Sequence, residues 1–146
     1  MDKLEYIPRD LVSVYVGIKK YIVEVIGTEN ENEALLYQIK FPNREIQYAD
    51  KDNIVPIPLT PEILEKNGWK KEAMSRGVRD RHLVYTKPDI EEYGYFPIYI
   101  EKGIGDEFDV YPFTDNNVCK QIAYIKYVHQ LQHILFGLGI NHEMEV

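Results

Sequence analysis

The chain has 146 residues and a net charge of −7. That length suits one domain or two very small ones, and the negative charge argues against a wholly basic nucleic-acid-binding surface. Its single cysteine, Cys119, excludes an internal disulfide and a cysteine-based zinc site. The first ten residues, MDKLEYIPRD, contain no apolar signal core, and no stretch approaches the ~20 apolar residues that span a bilayer. We therefore expect a cytoplasmic protein with no membrane partner.

The N-terminal region alternates short apolar segments with polar turns. The apolar segments lie at 11–16, 20–27, 34–41, 44–48 and 54–57. Brief strands at such regular spacing favour a small barrel or a curled sheet, and we predict an SH3-like β-barrel over residues 1–58. Pro56 and Pro58 confine the fifth strand to an edge, because proline cannot donate a hydrogen bond to a neighbouring strand.

A short helix is predicted directly after this region, in the segment PLTPEILEKNGW at 58–69. Thr60 suits the N-cap and Pro61 the first helical position. Asn67 and Gly68 are residues that end helices. The helix is barely two turns long and needs tertiary packing to be stable, so we expect it to link the N-terminal barrel to the rest of the chain.

Residues 59–146 are predicted to form an antiparallel sheet covered by a long C-terminal helix. Segments at 69–74, 81–85, 94–102 and 107–113 have the composition and alternation of strands. Between 120 and 138 the apolar residues recur every three or four positions, which indicates one face of a helix. Leu131 and Leu135 are expected at the buried centre of that face. The predicted fold class is α+β, with both subdomains packed as one unit.

Two segments, PIPLTPEILEKNGWKK and YIKYVHQLQHILFGLG, together resemble a family of small proteins from gut Bacteroidota genomes, phages and mobile elements. Its members combine a β-rich start with a segment similar to PIPLTPEILEKCGF and a final helix of the pattern Y-x-H-x-L-Q-N-x-x-F-x-L-T-G. The chain departs from that pattern at His133, where the family has Asn, and in the tail GLGINHEMEV, which replaces LTGEEL. The resemblance implies an accessory role in a phage or mobile element, with no established activity.

His129 and His133 are weak candidates for metal ligands. They stand four residues apart on the predicted helix, with Cβ atoms roughly 5–6 Å apart, which is a spacing that can hold zinc. The string HQLQH differs from the HExxH zinc-hydrolase motif by one residue. That residue, Gln130, cannot act as a general base. Both histidines also suit the polar edge of an amphipathic helix, and we predict no metal and no cofactor.

A basic segment stands out in this acidic chain. Between Lys66 and Lys87 there are seven basic residues, opposed only by Glu72 and Asp80, so this segment has a charge of about +5 in a chain of −7. We predict a basic loop over 70–81 whose side chains contact a partner or nucleic acid, in the way that phosphate-binding loops do. A solvated loop with local ion pairs is the plainer interpretation. The candidate contact residues are Lys70, Lys71, Arg76, Arg79 and Arg81.

The leading functional prediction is a non-catalytic interaction module that binds a macromolecular partner, with a protein partner favoured. The glycine frames of nucleotide-binding loops and the serine of a nucleophile elbow are absent from the sequence. Two alternatives stay open. One is a nucleic-acid-associated protein that uses the basic segment at 70–81, and the other is a metal-dependent hydrolase that uses His129 and His133.

Overall fold

The computed structural model describes residues 5–75, 81–92, 98–103, 105–112 and 123–146. Within these residues the fold is α+β, as predicted, with two five-stranded antiparallel sheets and few helices. The chain divides into two compact units. The first combines Met1–Pro58 with Tyr127–Met144, and the second combines Leu59–Lys126 with Glu145–Val146. The predicted assignment of all of residues 59–146 to the second subdomain therefore differs from the structure, which places residues 127–144 with the N-terminal sheet.

The first sheet is built from the five predicted N-terminal strands. Its strands are β1 (Leu11–Val16), β2 (Lys19–Glu31), β3 (Ala34–Lys40), β4 (Ile46–Ala49) and β5 (Ile54–Pro56). The order across the sheet is β4-β3-β2-β1-β5, and a 3-10 turn at Lys51–Asn53 precedes β5. Both edge strands lie within residues 5–58 and no ladder joins them there, so a closed SH3-like barrel stays a prediction.

The turns and the bulge of this sheet follow from local chemistry. Asn32 and Glu33 connect β2 to β3 with φ values of 49° and 65°. Two consecutive residues with positive φ are what a two-residue type I′ hairpin requires. The register of β2 against β3 shifts between Val25 and Gly27, and a bulge of this kind bends a strand and increases its twist. The sheet therefore curls across its middle strand.

Alternation along the strands gives the first sheet one apolar face. The buried side chains of β1 and β2 are Val12, Val14, Val23 and Val25, and most of the residues between them are less buried. Ser13 is the exception: it is fully buried, and its hydroxyl donates to the carbonyl oxygen of Val55 at 2.8 Å. Side chains two residues apart in a strand share a face, so these valines form an inner surface. The core cluster on that surface also contains Tyr6, Tyr37, Ile39, Phe41, Ala49 and Ile54.

The C-terminal helix, α3, spans Val128–Gly137 and packs against β1. Leu131 and Leu135 are 0% and 2% exposed, which confirms their predicted burial. Its predicted start near residue 120 is wrong, because Ala123–Ile125 forms a strand. Tyr127 keeps extended backbone angles, and its N–H donates to the Gln130 side chain at 3.1 Å, so the helix begins at Val128. Its predicted position over the second sheet is also wrong, because its buried face belongs to the first unit.

The second unit contains the other sheet and two short helices. The predicted linking helix, α1 (Pro61–Lys66), is confirmed: the Thr60 hydroxyl accepts a hydrogen bond from the Ile63 N–H at 3.2 Å, and Leu64 is buried. A second helix, α2, spans Pro88–Glu92. The strands are β6 (Lys70–Ser75), β7 (Arg81–Thr86), β8 (Ile98–Lys102), β9 (Phe108–Pro112) and β10 (Ala123–Ile125), and each pairs with the next.

Candidate functional site

The two candidate histidines lie one turn apart on α3, with ring centroids 5.5 Å apart, but in different environments. His129 is buried, with its ring 5.0 Å from that of Tyr6 and stacked 5.9 Å from that of Tyr127. Burial lowers the pKa of His129 to about 4; the nearby Asp10 carboxylate opposes this effect and His133 adds to it. His133 is partly exposed, and its Nε2 lies 2.6 Å from Asp10 Oδ2. With its proton on Nε2, the ring donates a hydrogen bond to the carboxylate.

This arrangement favours a structural role over metal chemistry. Across the parts of the chain that the structure describes, no three His, Cys, Asp or Glu residues are grouped to hold a metal ion. Cys119 lies outside those parts. His142 and Glu143, which follow the helix and could in principle supply a third ligand, make other contacts: Glu143 pairs with Arg9, and the His142 ring packs 5.0 Å from Phe136. An imidazole held by a carboxylate can act as a general base, but the hydrogen bond of His133 is to Asp10, and among the described residues the buried Nδ1 of His129 has no hydrogen-bond partner.

Asp10 is the buried residue that the sequence prediction missed. Its carboxylate is fully buried, and Oδ2 accepts hydrogen bonds from His133 Nε2 and from the Ile7 N–H, the latter at 2.9 Å. Main-chain bonds to Val25 fix the same segment: Arg9 N–H donates to the Val25 carbonyl at 2.7 Å, and Val25 N–H donates to the Asp10 carbonyl at 2.9 Å. The turn before β1 is thus fastened to both β2 and α3.

Gln132 completes this buried connection. It is fully buried, and its side-chain amide makes three hydrogen bonds to main-chain groups. Its Oε1 accepts the Leu11 N–H at 2.9 Å, and its Nε2 donates to the carbonyls of Arg9 and His142 at 2.9 and 3.0 Å. Buried polar groups must be paired in this way to avoid a desolvation penalty. We call Asp10, Gln132 and His133 the latch, because they hold the turn, the helix and the C-terminal tail together.

The outer face of the first sheet carries a groove next to the segment Arg9 to Leu11. A cross-strand row on this face runs from Leu11 through Glu24 and Lys40 to Ile46, as the register of β1 to β4 requires. A depression of about 330 Å³ lies along this row, with Leu11, Ile22, Phe41 and Pro42 as its apolar walls and Arg44 at its rim. We call it the Arg44 depression.

A second depression adjoins the first. It has a volume of about 300 Å³ and shares Leu11 and Glu24 with the Arg44 depression. Its remaining walls are Arg9, Glu143 and Met144, and we call it the Arg9 depression. The two depressions together form the outer groove. Concave surfaces with apolar walls and a few charged groups are the usual form of binding sites, so the outer groove is the candidate functional site.

The charges of the outer groove are unevenly paired. Arg9 forms an ion pair with Glu143, and the Lys40 Nζ lies 3.6 Å from a Glu24 carboxylate oxygen. The Arg44 guanidinium makes no ion pair with any residue in the described part of the chain. Because three cations and two carboxylates line the groove, its local charge is about +1 in a chain of −7.

The basic segment at 70–81 is not a single loop, which corrects the prediction. Lys70 and Lys71 are exposed at the start of β6, and Arg81 begins β7. The hairpin register pairs Ser75 with Arg81, so the two lysines and Arg81 stand at opposite ends of the hairpin, roughly 17 Å apart along a strand. Arg76 and Arg79 lie outside the described residues. The charges of KKEAM suggest a loop, whereas its alternation suggests a strand. Because the segment pairs with β7, it forms a strand.

The sequence contains one signal for the groove that the prediction did not use. Arg9 and Arg44 each follow within two residues of a proline, in the strings IPRD and FPNR. Proline favours tight turns, and a charged residue in such a turn beside a strand end is placed at the surface. The walls of the groove come from three strands, the segments beside them and the C-terminal tail, and the register of β1 to β3 brings the strand residues together.

No helix within the described ranges is long and apolar enough to cross a membrane. Comparisons of the chain with protein-family models, with curated proteins and with solved structures find no match.

Proposed function

We propose that the protein is a non-catalytic interaction module, and that its outer groove binds a macromolecular partner, with a protein segment favoured. The observation that carries this proposal is the Arg44 guanidinium, which makes no ion pair with the described residues and lines an open depression with apolar walls. A buried apolar contact beside a directed charge is the combination that dominates protein interfaces. The proposal places the protein in the cytoplasm, and the family resemblance supports an accessory role in a phage or mobile element.

The latch supports binding rather than chemistry. Asp10, Gln132 and His133 hold main-chain atoms of Arg9 and Leu11 in place, and these two residues form a wall of the groove. Pre-organised walls reduce the entropy cost of binding. His133 takes part in this support through Asp10, which argues for binding over the hydrolase alternative. We infer that the polar cluster serves recognition by fixing the shape of the groove.

Curling of the first sheet supports the SH3-like barrel as the finer form of this unit. Its fifth strand returns to pair with β1 instead of continuing beyond β4, and the bulge between Val25 and Gly27 bends the long β2. Small barrels of this kind expose an outer surface and loop ends for ligands. The nucleic-acid alternative retains one support, the exposed pair Lys70 and Lys71.

Site-specific photo-crosslinking in the source cells tests the proposed surface. A benzoylphenylalanine replaces Ile22, which is 44% exposed at the groove. The same group at Lys51, on the exposed 3-10 turn, serves as the matched control. We expect a discrete crosslinked protein from position 22 that is absent from position 51 and from an Ile22 variant that also carries Arg44→Glu.

A rival surface is included in the same experiment. Ile18 is 98% exposed at the tip of the β1–β2 hairpin, beside the exposed Lys19 and Lys20. Crosslinks from position 18 with none from position 22 would move the binding surface to the hairpin tip and overturn the groove proposal. Crosslinks to nucleic acid from position 70, with none from position 22, would favour the nucleic-acid alternative.

A further inference from the structure

The C-terminal tail forms one wall of the outer groove. Residues 141–144 have no regular secondary structure, and Glu143 pairs its carboxylate with the Arg9 guanidinium. Met144 lines the same depression. The segment is held in this position because Gln132 Nε2 donates to the His142 carbonyl and the Glu143 N–H donates to Asn141 Oδ1 at 3.1 Å. An acidic residue followed by a bulky apolar one therefore lines the Arg9 depression, with the acidic side chain paired to Arg9.

The Arg44 depression offers the same chemistry. Its guanidinium stands above apolar walls formed by Leu11, Ile22 and Phe41, as that of Arg9 stands beside Leu11. Arginine binds carboxylates through directed, charge-assisted hydrogen bonds. The row from β1 to β3 that separates the two ends covers two strand spacings, or about 10 Å, which three or four extended residues span.

The backbone conformation of the two arginines supports the same conclusion. The positive-φ residues other than glycine in the described chain are Asn32 and Glu33, which form the type I′ turn, and Arg9 and Arg44, with φ of 77° and 72°. Glycine would adopt this conformation without strain. Strained residues of this kind concentrate at ligand clamps, and here both carry a guanidinium to the rim of one groove.

We propose that the outer groove binds extended peptide segments in which an acidic residue adjoins a bulky apolar residue, and that Glu143 and Met144 are the chain's own copy of this ligand. The inference rests on the proposed function, because it names the partner chemistry of the same groove. A polyanion such as nucleic acid fits this site less well, since the Glu24 and Glu143 carboxylates line it and would repel adjacent phosphates.

The test uses the full-length protein and a defined probe, a fluorescein-labelled peptide of sequence NHEMEV copied from residues 141–146. Fluorescence anisotropy measures its affinity. We expect Arg44→Glu to weaken binding at least 10-fold, and Glu143→Gln to tighten it several-fold because the tail no longer neutralises Arg9. Lys51→Glu, which makes the same charge change on the exposed 3-10 turn, leaves the affinity unchanged. Circular dichroism verifies folding of each variant.

Peptide chemistry provides the second control. The peptide NHQMQV keeps the length and the apolar side chain without the carboxylates, and we expect it to bind at least 10-fold more weakly. Equal binding of the two peptides, or an unchanged affinity in Arg44→Glu, would overturn the inference. The inference would also be overturned if an oligothymidine probe bound through Arg44 and the NHEMEV peptide did not bind. If position 22 still crosslinks a partner when NHEMEV fails, the proposed function stands alone; if both fail, both fall.

Discussion

The segment Arg9 to Leu11 faces two very different environments. On its buried side, Asp10 is fully enclosed and bound to α3 through His133, while the main chain on either side is bound to Gln132. On its open side, the Arg9 and Glu143 side chains form an ion pair with 55% and 64% of their surfaces exposed. The first environment excludes water from a network of hydrogen bonds, and the second is screened by solvent and salt.

This difference teaches where stability and recognition reside. A hydrogen bond to a buried group is expensive to break because its partner is left unsatisfied, whereas an exposed ion pair contributes at most about 1 kcal/mol. The latch and the helix core should therefore determine the free energy of unfolding. The outer groove can lose its charges at little cost in stability, so substitutions on the two sides should be separable.

The largest effect is expected from the helix core. Leu131→Ala removes a fully buried side chain of α3 and should lower the free energy of unfolding by roughly 2–5 kcal/mol through lost burial and the cavity left behind. Phe136→Ala on the 59% exposed face of the same helix is the control, with an expected loss below about 0.5 kcal/mol. Urea denaturation followed by circular dichroism measures both, and similar values would mean that the assignment of the buried face is wrong.

Breaking the latch should cost slightly less. Gln132→Leu keeps the volume of the side chain but leaves the Leu11 N–H and the Arg9 and His142 carbonyls without their partner. The expected loss is roughly 2–4 kcal/mol, since each unsatisfied buried group costs about 1–3 kcal/mol and these are partly buried. Gln47→Leu, an identical change at an exposed position of β4, should be nearly neutral. Equal losses in the two variants would show that the hydrogen bonds of Gln132 add nothing.

The sequence was informative wherever one local pattern dominated. The five N-terminal strands, the capped helix α1 and the burial of Leu131 were predicted because alternation, caps and helical spacing agree there. The start of α3 was not, because residues 123–125 satisfy both a period of two and a helical period. These residues form a strand because they pair with Val110 and its neighbours in β9, and a local sequence pattern does not reveal that pairing.

The candidate site was beyond the reach of local patterns. Asp10 and His133 are 123 residues apart, and a carboxylate in a polar N-terminal string gives no sign that it will be buried. The helical spacing of His129 and His133 suggested a shared ligand, yet one ring packs on tyrosines and the other binds Asp10. The groove walls depend on register, because a shift of one residue would place Leu11 and Ile22 on the opposite face.

Acid should lower the free energy of unfolding, because His129 is protonated more readily in the unfolded chain than in the folded protein. Its pKa is about 4 in the folded protein and about 6.5 in an unfolded chain, so the unfolded state binds the proton more readily. The contribution is complete above about pH 6.5 and is lost as the pH falls towards 4. Between pH 7 and pH 4.5 the free energy of unfolding should fall by on the order of 2 kcal/mol from this group.

The variant His129→Phe isolates that contribution. Phenylalanine keeps the ring contacts with Tyr6 and Tyr127 but cannot be protonated, so the difference in stability between pH 7 and pH 4.5 should shrink. An unchanged difference between the two pH values in this variant would mean that His129 is not the source of the acid sensitivity.

The smallest change in stability is expected at Arg44, where the effect on binding is largest. Arg44→Gly relieves the strain of a left-handed backbone but increases the freedom of the unfolded chain, so the free energy of unfolding should shift by no more than about 1 kcal/mol in either direction. The same substitution removes the guanidinium from the groove and should weaken binding of the NHEMEV peptide at least 10-fold. Asn32→Gly makes an equivalent backbone change in the type I′ turn and should leave the peptide affinity unchanged. If Arg44→Gly lowered the free energy of unfolding by more than about 1 kcal/mol, the arginine would support the fold. Stability and recognition would then not be separable at Arg44, the residue on which the proposed binding depends most.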